Sequence, residues 1–342
     1  MHPDPDPPVP VPAPAATPTP AAAVDNSRIY VLKNQIGWDL DKEGDDSRLF
    51  VLDSQIGWDL DELIALWVAA RIIRRLIVIT SDETRGRRAG LARLVLDLLG
   101  RPEVPVAAGS ELADSDTRFL FADYPLPRIP GPHSDAVDIV ATSAEHAPVT
   151  VIGLGAFTNI AALLYRHPHL SETIDLVLQG GWLDHYRKMP RASHNLHIDQ
   201  VAAGVALRMA HRPRLLLSTH TNHPRLRVTP DSPLVDWFHT TDTPFAQLAE
   251  LYCDHWFARH PDGSWQADSV AVAVAVGARV AEFVTEPILV GPDARLHRNP
   301  AGRPLTVTTS IDYAAFAAWL SRIIPEIRLQ QAINLDTGDD DQ

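Results

Sequence analysis

The chain has 342 residues, 45% of them hydrophobic, which is enough for one large α/β domain or two small ones. Its net charge of −13, with no block rich in Lys and Arg, excludes nucleic-acid binding, because that function needs a basic face. Cys253 is the only cysteine, so an intrachain disulfide and a cysteine-based zinc site are excluded and a reducing cytoplasm is expected.

The first 24 residues are mostly Pro, Ala and Val, a composition that predicts a disordered or polyproline-like tail. The opening Met1-His2-Pro3-Asp4 lacks the basic-then-apolar order of a signal peptide. No later stretch approaches the ~18 consecutive apolar residues of a membrane span. We therefore expect no association with a membrane.

A duplicated motif follows the tail. Residues 27–42 match residues 47–62 at eleven of sixteen positions, but two copies are too few for a repeat fold. Only the second copy is followed by an apolar run, and the first has Lys33 where the second has Asp53. We take the second copy as the working one, while the first could add an edge strand. The predicted segments are the tail at 1–24, the duplicated motif at 25–46, the main domain at 47–330 and an acidic tail at 331–342.

The second copy places four acids, Asp53, Asp59, Asp61 and Glu62, between a short β-prone run and a longer apolar run that suits a helix. Ligands of open parallel sheets bind at the carboxyl ends of strands. Carboxylates crowded there repel one another unless a cation compensates, and Ca²⁺ takes several oxygen ligands. The same acids could instead simply complement the dipole of the helix that they precede.

Helices and strands then alternate, which predicts an α/β domain with a mainly parallel central sheet flanked by helices. Polar, Pro-rich residues 111–136 are expected to form a surface loop. The predicted helices cover 61–73, 87–99, 199–209, 244–259, a segment beginning near 265, and 312–323. The predicted strands cover 49–52, 76–80, 104–109, 149–152, 174–179, 215–218, 287–290 and 305–309.

Two other motifs suggest chemistry. Gly153-Leu154-Gly155 follows a strand, as in a dinucleotide-binding fingerprint, but the third Gly is missing. His220 and His223 could bind a metal, but without a third ligand in register we interpret them as loop residues. Neither motif therefore predicts a site by itself.

Residues 53–66 resemble, without a gap, the opening motif Asp-Thr-Asp-Ile-Gly-x-Asp-x-Asp-Asp-Ala-Leu-Ala-Leu of the inosine-uridine-preferring nucleoside hydrolases. Four later segments are similar to that family in the same order: 155–161 to Gly-Pro-Leu-Thr-Asn-Ile-Ala, 176–181 to Val-Leu-Met-Gly-Gly, 192–195 to Ala-Glu-Phe-Asn, and 267–272 to His-Asp-Pro-Leu-Ala-Val. The resemblance implies a nucleoside-hydrolase-like fold and Ca²⁺-dependent hydrolysis of the N-glycosidic bond of a small nucleoside-like substrate. The oligomeric state stays open, a homo-oligomer included.

The resemblance also implies roles for single residues. The expected metal ligands are Gln55, Glu62, Asp268 and the carbonyl of Thr158. The expected catalytic residues are Asp53, Gln55 and Asp61, and the expected substrate-binding residues are Asp61, Asn195, Ser193, Arg187 and Arg85. Thr158, Asn159 and Asp268 could equally serve as ordinary helix caps.

Several of these positions depart from the family pattern. Gln55 stands where the family has an Asp that is a metal ligand and proposed general base, and an amide is not basic. Ala267 replaces a His that serves the leaving base, Ser193 replaces a Glu, and Arg187 replaces an Asn. Asp53 or Asp61 would then act as the general base. The substitution Gln55→Asp would be expected to raise activity. A repurposed enzyme and a non-catalytic binding protein are the alternatives.

Overall fold

The computed structural model describes residues 47–129, 136–183, 186 and 190–325. The tail at 1–24, the duplicated segment at 25–46, residues 326–330 and the acidic tail at 331–342 lie outside these residues. Within the described residues, no helix is long and apolar enough to cross a membrane.

Eleven strands form within the described residues. They are β1 (Leu49–Ser54), β2 (Leu76–Thr80), β3 (Val106–Ala108), β4 (Val149–Gly153), β5 (Asp175–Gln179), β6 (Arg214–Leu216), β7 (Arg227–Val228), β8 (Ser264–Trp265), β9 (Ala281–Val290), β10 (Leu296–Arg298) and β11 (Arg303–Ile311). The helices are α1 (Leu60–Ile72), α2 (Arg87–Leu98), α3 (Ala136–His146), α4 (Thr158–Arg166), α5 (His194–His197), α6 (Gln200–Met209), α7 (Ser218–Thr221), α8 (Pro233–Thr240), α9 (Pro244–Phe257), α10 (Ala267–Ala275) and α11 (Tyr313–Ile323).

Nine of the strands form one sheet in the order β10-β9-β11-β6-β5-β4-β1-β2-β3. All pairs from β11 to β3 in this order are parallel, and β9 is antiparallel to both β10 and β11. The predicted class, α/β with a mainly parallel central sheet, is therefore confirmed. Strands buried on both faces read as continuous apolar runs, which explains why the sequence of β1 does not alternate.

The first strand lies inside the sheet, between β2 and β4. All six of its residues are buried, and Asp53 lies in register with Ile79 on one side and Gly153 on the other. The carboxyl ends of these strands therefore meet at one edge of the sheet. This edge is where the acidic stretch leaves β1.

Each face of the sheet carries its own hydrophobic core. One core packs α1, α9 and α10 against the sheet, and α1 is buried along nearly its whole length, which explains why it is apolar on all sides. Its Trp67 stacks on Trp237 with 5.6 Å between ring centroids. The other core packs α3, α4 and α6 on the opposite face. The acidic edge is thus supported from both sides.

The structure differs from the sequence predictions in two helices and one strand, and it also contains short elements that were not predicted, namely α5, α7, β7, β8 and β10. Helices α3 and α8 were not predicted, and β9 runs over ten residues where only its end, 287–290, was expected. Most of β9 is partly exposed, and Ile288 is its only buried residue. A search for apolar runs misses such a strand because few of its side chains face a core.

We predict that deletion of residues 1–46 leaves a folded domain whose melting temperature changes by less than about 2 °C. Both edges of β1 are already paired with β2 and β4, so the strand needs no further partner. Differential scanning calorimetry of the full chain and of the truncated chain checks this. Aggregation of the truncated chain would show that the preceding segment covers part of the domain.

Candidate functional site

The loop from β1 to α1 adopts a conformation that only its glycine allows. Gly57 has φ of +102°, a left-handed value that other residues rarely adopt. A Cβ at this position would also collide with the ring of Phe119. The loop then reaches Asp59, whose Oδ1 accepts a hydrogen bond from the backbone N–H of Asp61 at 3.4 Å and caps α1. This cap directs the acids of the first turn toward the edge of the sheet.

Four acids from two helices form the centre of the site: Asp59, Asp61, Glu62 and, from the first turn of α10, Asp268. Asp61 Oδ2 accepts a hydrogen bond from the backbone N–H of Asp268 at 3.4 Å. Glu62 Oε2 accepts from the backbone N–H of Trp58 at 3.1 Å. The structure therefore brings together three residues that the sequence predicted for the site, Asp61, Glu62 and Asp268, which are 6%, 4% and 3% exposed.

The acids hold protons more strongly than free carboxylic acids do. Burial, and then the neighbouring Asp268 and Asp59 carboxylates, raise the pKa of Asp61 well above its usual value. Burial also raises the pKa of Glu62 and Asp268, although the guanidinium of Arg88 partly offsets this for Glu62. Since each buried charge opposes the next, the cluster is stable only with bound protons or with a bound cation.

Asp53 is fully buried behind this cluster. Its Oδ1 accepts a hydrogen bond from Asn159 Nδ2 at 3.1 Å, and its Oδ2 has no hydrogen-bond partner among the described residues. Burial raises the pKa of Asp53 to about 7, and the hydrogen bond from Asn159 acts in the opposite direction. Asp53 is thus a buried acid with one free oxygen.

Gln55 is held by the nitrogen end of its amide. Its Nε2 donates to Asp82 Oδ2 at 2.9 Å, and its Oε1 is buried without a hydrogen-bond partner in the described part of the chain. Asp82 in turn forms ion pairs with Arg88 at 3.1 Å and Arg118 at 2.6 Å. The sequence analysis missed this group, although Asp82 follows β2 almost directly, at the edge where ligands of parallel sheets bind.

The predicted sugar-binding residues hold the backbone of neighbouring loops. Asn195 Nδ2 donates to the carbonyls of Leu154 and Gln179 at 2.7 and 3.1 Å, and Ser193 Oγ accepts from the backbone N–H of Gly181 at 2.6 Å. Thr158 Oγ1 donates to Asp199 Oδ2 at 2.7 Å, and the role of its carbonyl as a metal ligand stays a prediction. These contacts fix the loops after β4 and β5.

The two predicted arginines have different outcomes. Arg85 is exposed, and its guanidinium pairs with Asp116 at 3.3 Å rather than with any acid of the cluster. Arg187 lies outside the described residues, so its role stays a prediction. The arginines that the structure places beside Gln55 are Arg88, which is fully buried, and Arg118, which is mostly buried.

The donor atoms suit a hard divalent cation. Several buried carboxylates and the unpartnered Oε1 of Gln55 supply the oxygen ligands that Ca²⁺ takes. In the described part of the chain, no three acidic, His or Cys side chains already converge as a finished metal site. The residues therefore fit a cation in charge and in donor type, and binding would draw the acids together.

Comparison with known proteins agrees with this geometry. The sequence model of the family described as inosine-uridine preferring nucleoside hydrolase matches residues 50–318. The pyrimidine-specific ribonucleoside hydrolase RihA of Shewanella woodyi is 28% identical over 218 residues, which are 59% of this chain and 69% of that protein. RihA of Salmonella typhi is 27% identical over 185 residues, 50% of this chain and 58% of that protein.

Two solved structures share the fold. The purine-preferring ribonucleoside hydrolase from Gardnerella vaginalis superposes with a TM-score of 0.67 at 21% identity, covering 82% of this chain and 99% of the other. The plant nucleoside hydrolase PpNRh1 gives a TM-score of 0.67 at 18% identity and covers 81% of this chain and 99% of the other. At these identities the likeness concerns the fold alone.

We predict that Asp59→Asn raises the melting temperature of the metal-free protein, and that this rise becomes larger as the pH increases. Burial raises the pKa of Asp59 from 3.8 to about 7, so its contribution to stability is full below pH ~4 and is lost as the pH rises through 7. The variant should melt about 2–5 °C above the natural protein at pH 8 in chelator, and at nearly the same temperature at pH 4. Asp312→Asn, which changes an exposed helix cap, serves as the control. A difference that does not grow with pH would contradict the prediction.

Proposed function

Because the chain belongs to the inosine-uridine preferring nucleoside hydrolase family, we propose that it hydrolyses the N-glycosidic bond of a ribonucleoside or modified ribonucleoside with the aid of Ca²⁺. Proteins of this family are metal-dependent and act on small nucleosides. The observation that supports the proposal most directly is the buried acid cluster of Asp61, Glu62 and Asp268, which lies at the carboxyl edge of the sheet inside the matched region.

Four residues would hold the cation: Gln55 through Oε1, Glu62 and Asp268 through their carboxylates, and Thr158 through its carbonyl. Bound there, Ca²⁺ would supply the Lewis acidity that makes a water molecule a better nucleophile. Gln55 is suited to this position because its Oε1 is already buried without a partner. The cation would also offset the repulsion that raises the pKa of Glu62 and Asp268.

Asp61 is the better of the two candidate bases. Asp53 is fully buried, and one of its oxygens is engaged by Asn159. Asp61 retains slight exposure, and its Oδ2 accepts only one long hydrogen bond, from a backbone N–H. A base must lie within reach of the water from which it takes a proton. We therefore assign proton removal to Asp61. We assign to Asp53 the role of holding Asn159 and the loop after β4 in position.

The sugar would lie between the acid cluster and the loop that follows β5. Asn195 and Ser193 support this loop, and we propose that they and Asp61 contact the ribose hydroxyls. Arg187 remains a candidate contact from the same region of the sequence. Arg85 is engaged by Asp116 at the surface, so we assign it no direct contact with the sugar.

A second function, ligand binding without turnover, is favoured by one specific observation. Gln55 provides an amide where hydrolysis needs a base or an anionic ligand, and its hydrogen bond to Asp82 keeps that amide in place. A panel of purine and pyrimidine ribonucleosides, assayed with Ca²⁺ and with chelator, decides between the two functions. Release of the free base only with Ca²⁺ supports hydrolysis. Saturable binding by calorimetry without base release supports the binding function and overturns the proposed one.

We predict that Ca²⁺ raises the melting temperature and that Asp268→Ala abolishes the rise. Binding to the folded state alone contributes about 2.7 kcal/mol when the ligand is at 100 times its Kd. Asp236→Ala, which removes an exposed acid from the first turn of another helix, should leave the rise unchanged. Calorimetry that detects no heat of Ca²⁺ binding at millimolar concentration would contradict the prediction.

A further inference from the structure

Asp82 is a carboxylate whose acceptor sites are saturated. Its Oδ1 accepts from Ser115 Oγ at 2.7 Å and from Arg118 Nη2 at 2.6 Å. Its Oδ2 accepts from Arg118 Nε at 2.7 Å, Gln55 Nε2 at 2.9 Å and Arg88 Nη2 at 3.1 Å. A carboxylate held by five hydrogen bonds, with no exposed surface, is fixed in place and has no acceptor site left for a ligand.

Arg88 makes this arrangement rigid. Its remaining donors reach the carbonyls of Gln55 and Ile56 at 2.5 and 3.0 Å, of Asp82 at 2.6 Å and of Arg118 at 2.6 Å. One buried guanidinium thus fastens the loop after β1 to the turn after β2. Arg is suited to this role because its planar group presents five donors in a fixed geometry.

This clamp decides which way the Gln55 amide faces. An ionised carboxylate only accepts hydrogen bonds, so the NH₂ group of Gln55 must face Asp82. The Oε1 atom then points away from Asp82, where it is buried without a partner. If the carboxylate at 82 were an amide, this preference would be lost.

We propose that Asp82 is a positioning residue that orients the side chain at position 55. The protein should tolerate an exchange of the acid at 82 with the amide at 55 better than it tolerates either substitution alone. Gln55→Asp alone would place a second carboxylate, one methylene shorter than the Gln55 side chain, next to that of Asp82, and the two would repel each other. Asp82→Asn alone would leave Arg88 and Arg118 without their shared anion. The double variant keeps the total charge and removes this repulsion, because residue 82 would then be an amide whose NH₂ group can donate toward the carboxylate at 55. The catalytic consequence of this exchange rests on the proposed function.

The test compares the natural protein with Gln55→Asp, Asp82→Asn and the double variant. We expect both single variants to melt below the natural protein and the double variant to melt above either of them. In contrast to the expectation from the sequence, we expect no gain of turnover from Gln55→Asp alone, because the Asp82 carboxylate would repel the new one. We expect a gain on the order of 10²-fold from the double variant, in which this repulsion is absent and the acid at 55 can act as a base. Heats of Ca²⁺ binding, measured on the same four proteins, should be strongest for the double variant.

Gln266 provides the control, since it is another buried glutamine whose amide has no partner in the described residues. Gln266→Asp combined with Asp82→Asn should show additive losses, because no contact joins the two side chains. The double variant at 55 and 82 could melt no higher than Asp82→Asn or fail to fold. In either case the experiment is repeated with Gln55→Glu, whose side chain has the length of Gln. The same result with Gln55→Glu overturns the proposal. Restored stability without turnover of any nucleoside leaves the positioning role standing and counts against hydrolysis instead.

Discussion

The structure depends on how it compensates negative charge that is buried at one edge of its sheet. Opposite charges attract far more strongly in a protein interior than in water, and like charges repel more strongly too. The buried negative charges at this edge are compensated in two different ways. Asp82 has two guanidinium partners inside the fold, whereas in the acid cluster Arg88 acts on Glu62 and not on Asp61 or Asp268. The first group is complete, and the second is left for protons or for a cation from solution.

This division separates a structural part of the site from a reactive part. The Asp82 group fastens two neighbouring loops and has no acceptor left for a ligand. The acid cluster begins at Asp59, four residues after Gln55, whose side-chain amide joins the Asp82 group. The nitrogen of that amide is committed to Asp82, and its oxygen is available. The internal ion pairs therefore hold the nitrogen end of the Gln55 amide, and under the proposed function its oxygen would serve as a metal ligand.

The sequence was sufficient for the fold class and for the acids of the β1–α1 loop, because apolar runs, glycines and ordered motifs are local signals. It led to Asp61, Glu62 and Asp268 correctly as neighbours, although 207 positions separate Asp61 from Asp268. It pointed to Arg85 and passed over Asp82, Arg88 and Arg118. Asp82 and Arg85 have left-handed backbone conformations. These conformations determine which charged side chains of the turn face inward. The hydrophobic periodicity of the sequence does not predict them.

The long sequence separations of the site also bear on the order of folding. Asp53 meets Asn159 across 106 positions, Glu62 meets Tyr252 across 190, and Asp61 meets Asp268 across 207. Contacts so distant along the chain close large loops and form late. If a cation binds as proposed, it would find no complete set of ligands until α10 has packed against α1. Its binding would slow unfolding and leave the rate of folding almost unchanged, so Ca²⁺ would lengthen the lifetime of the finished protein without guiding its assembly.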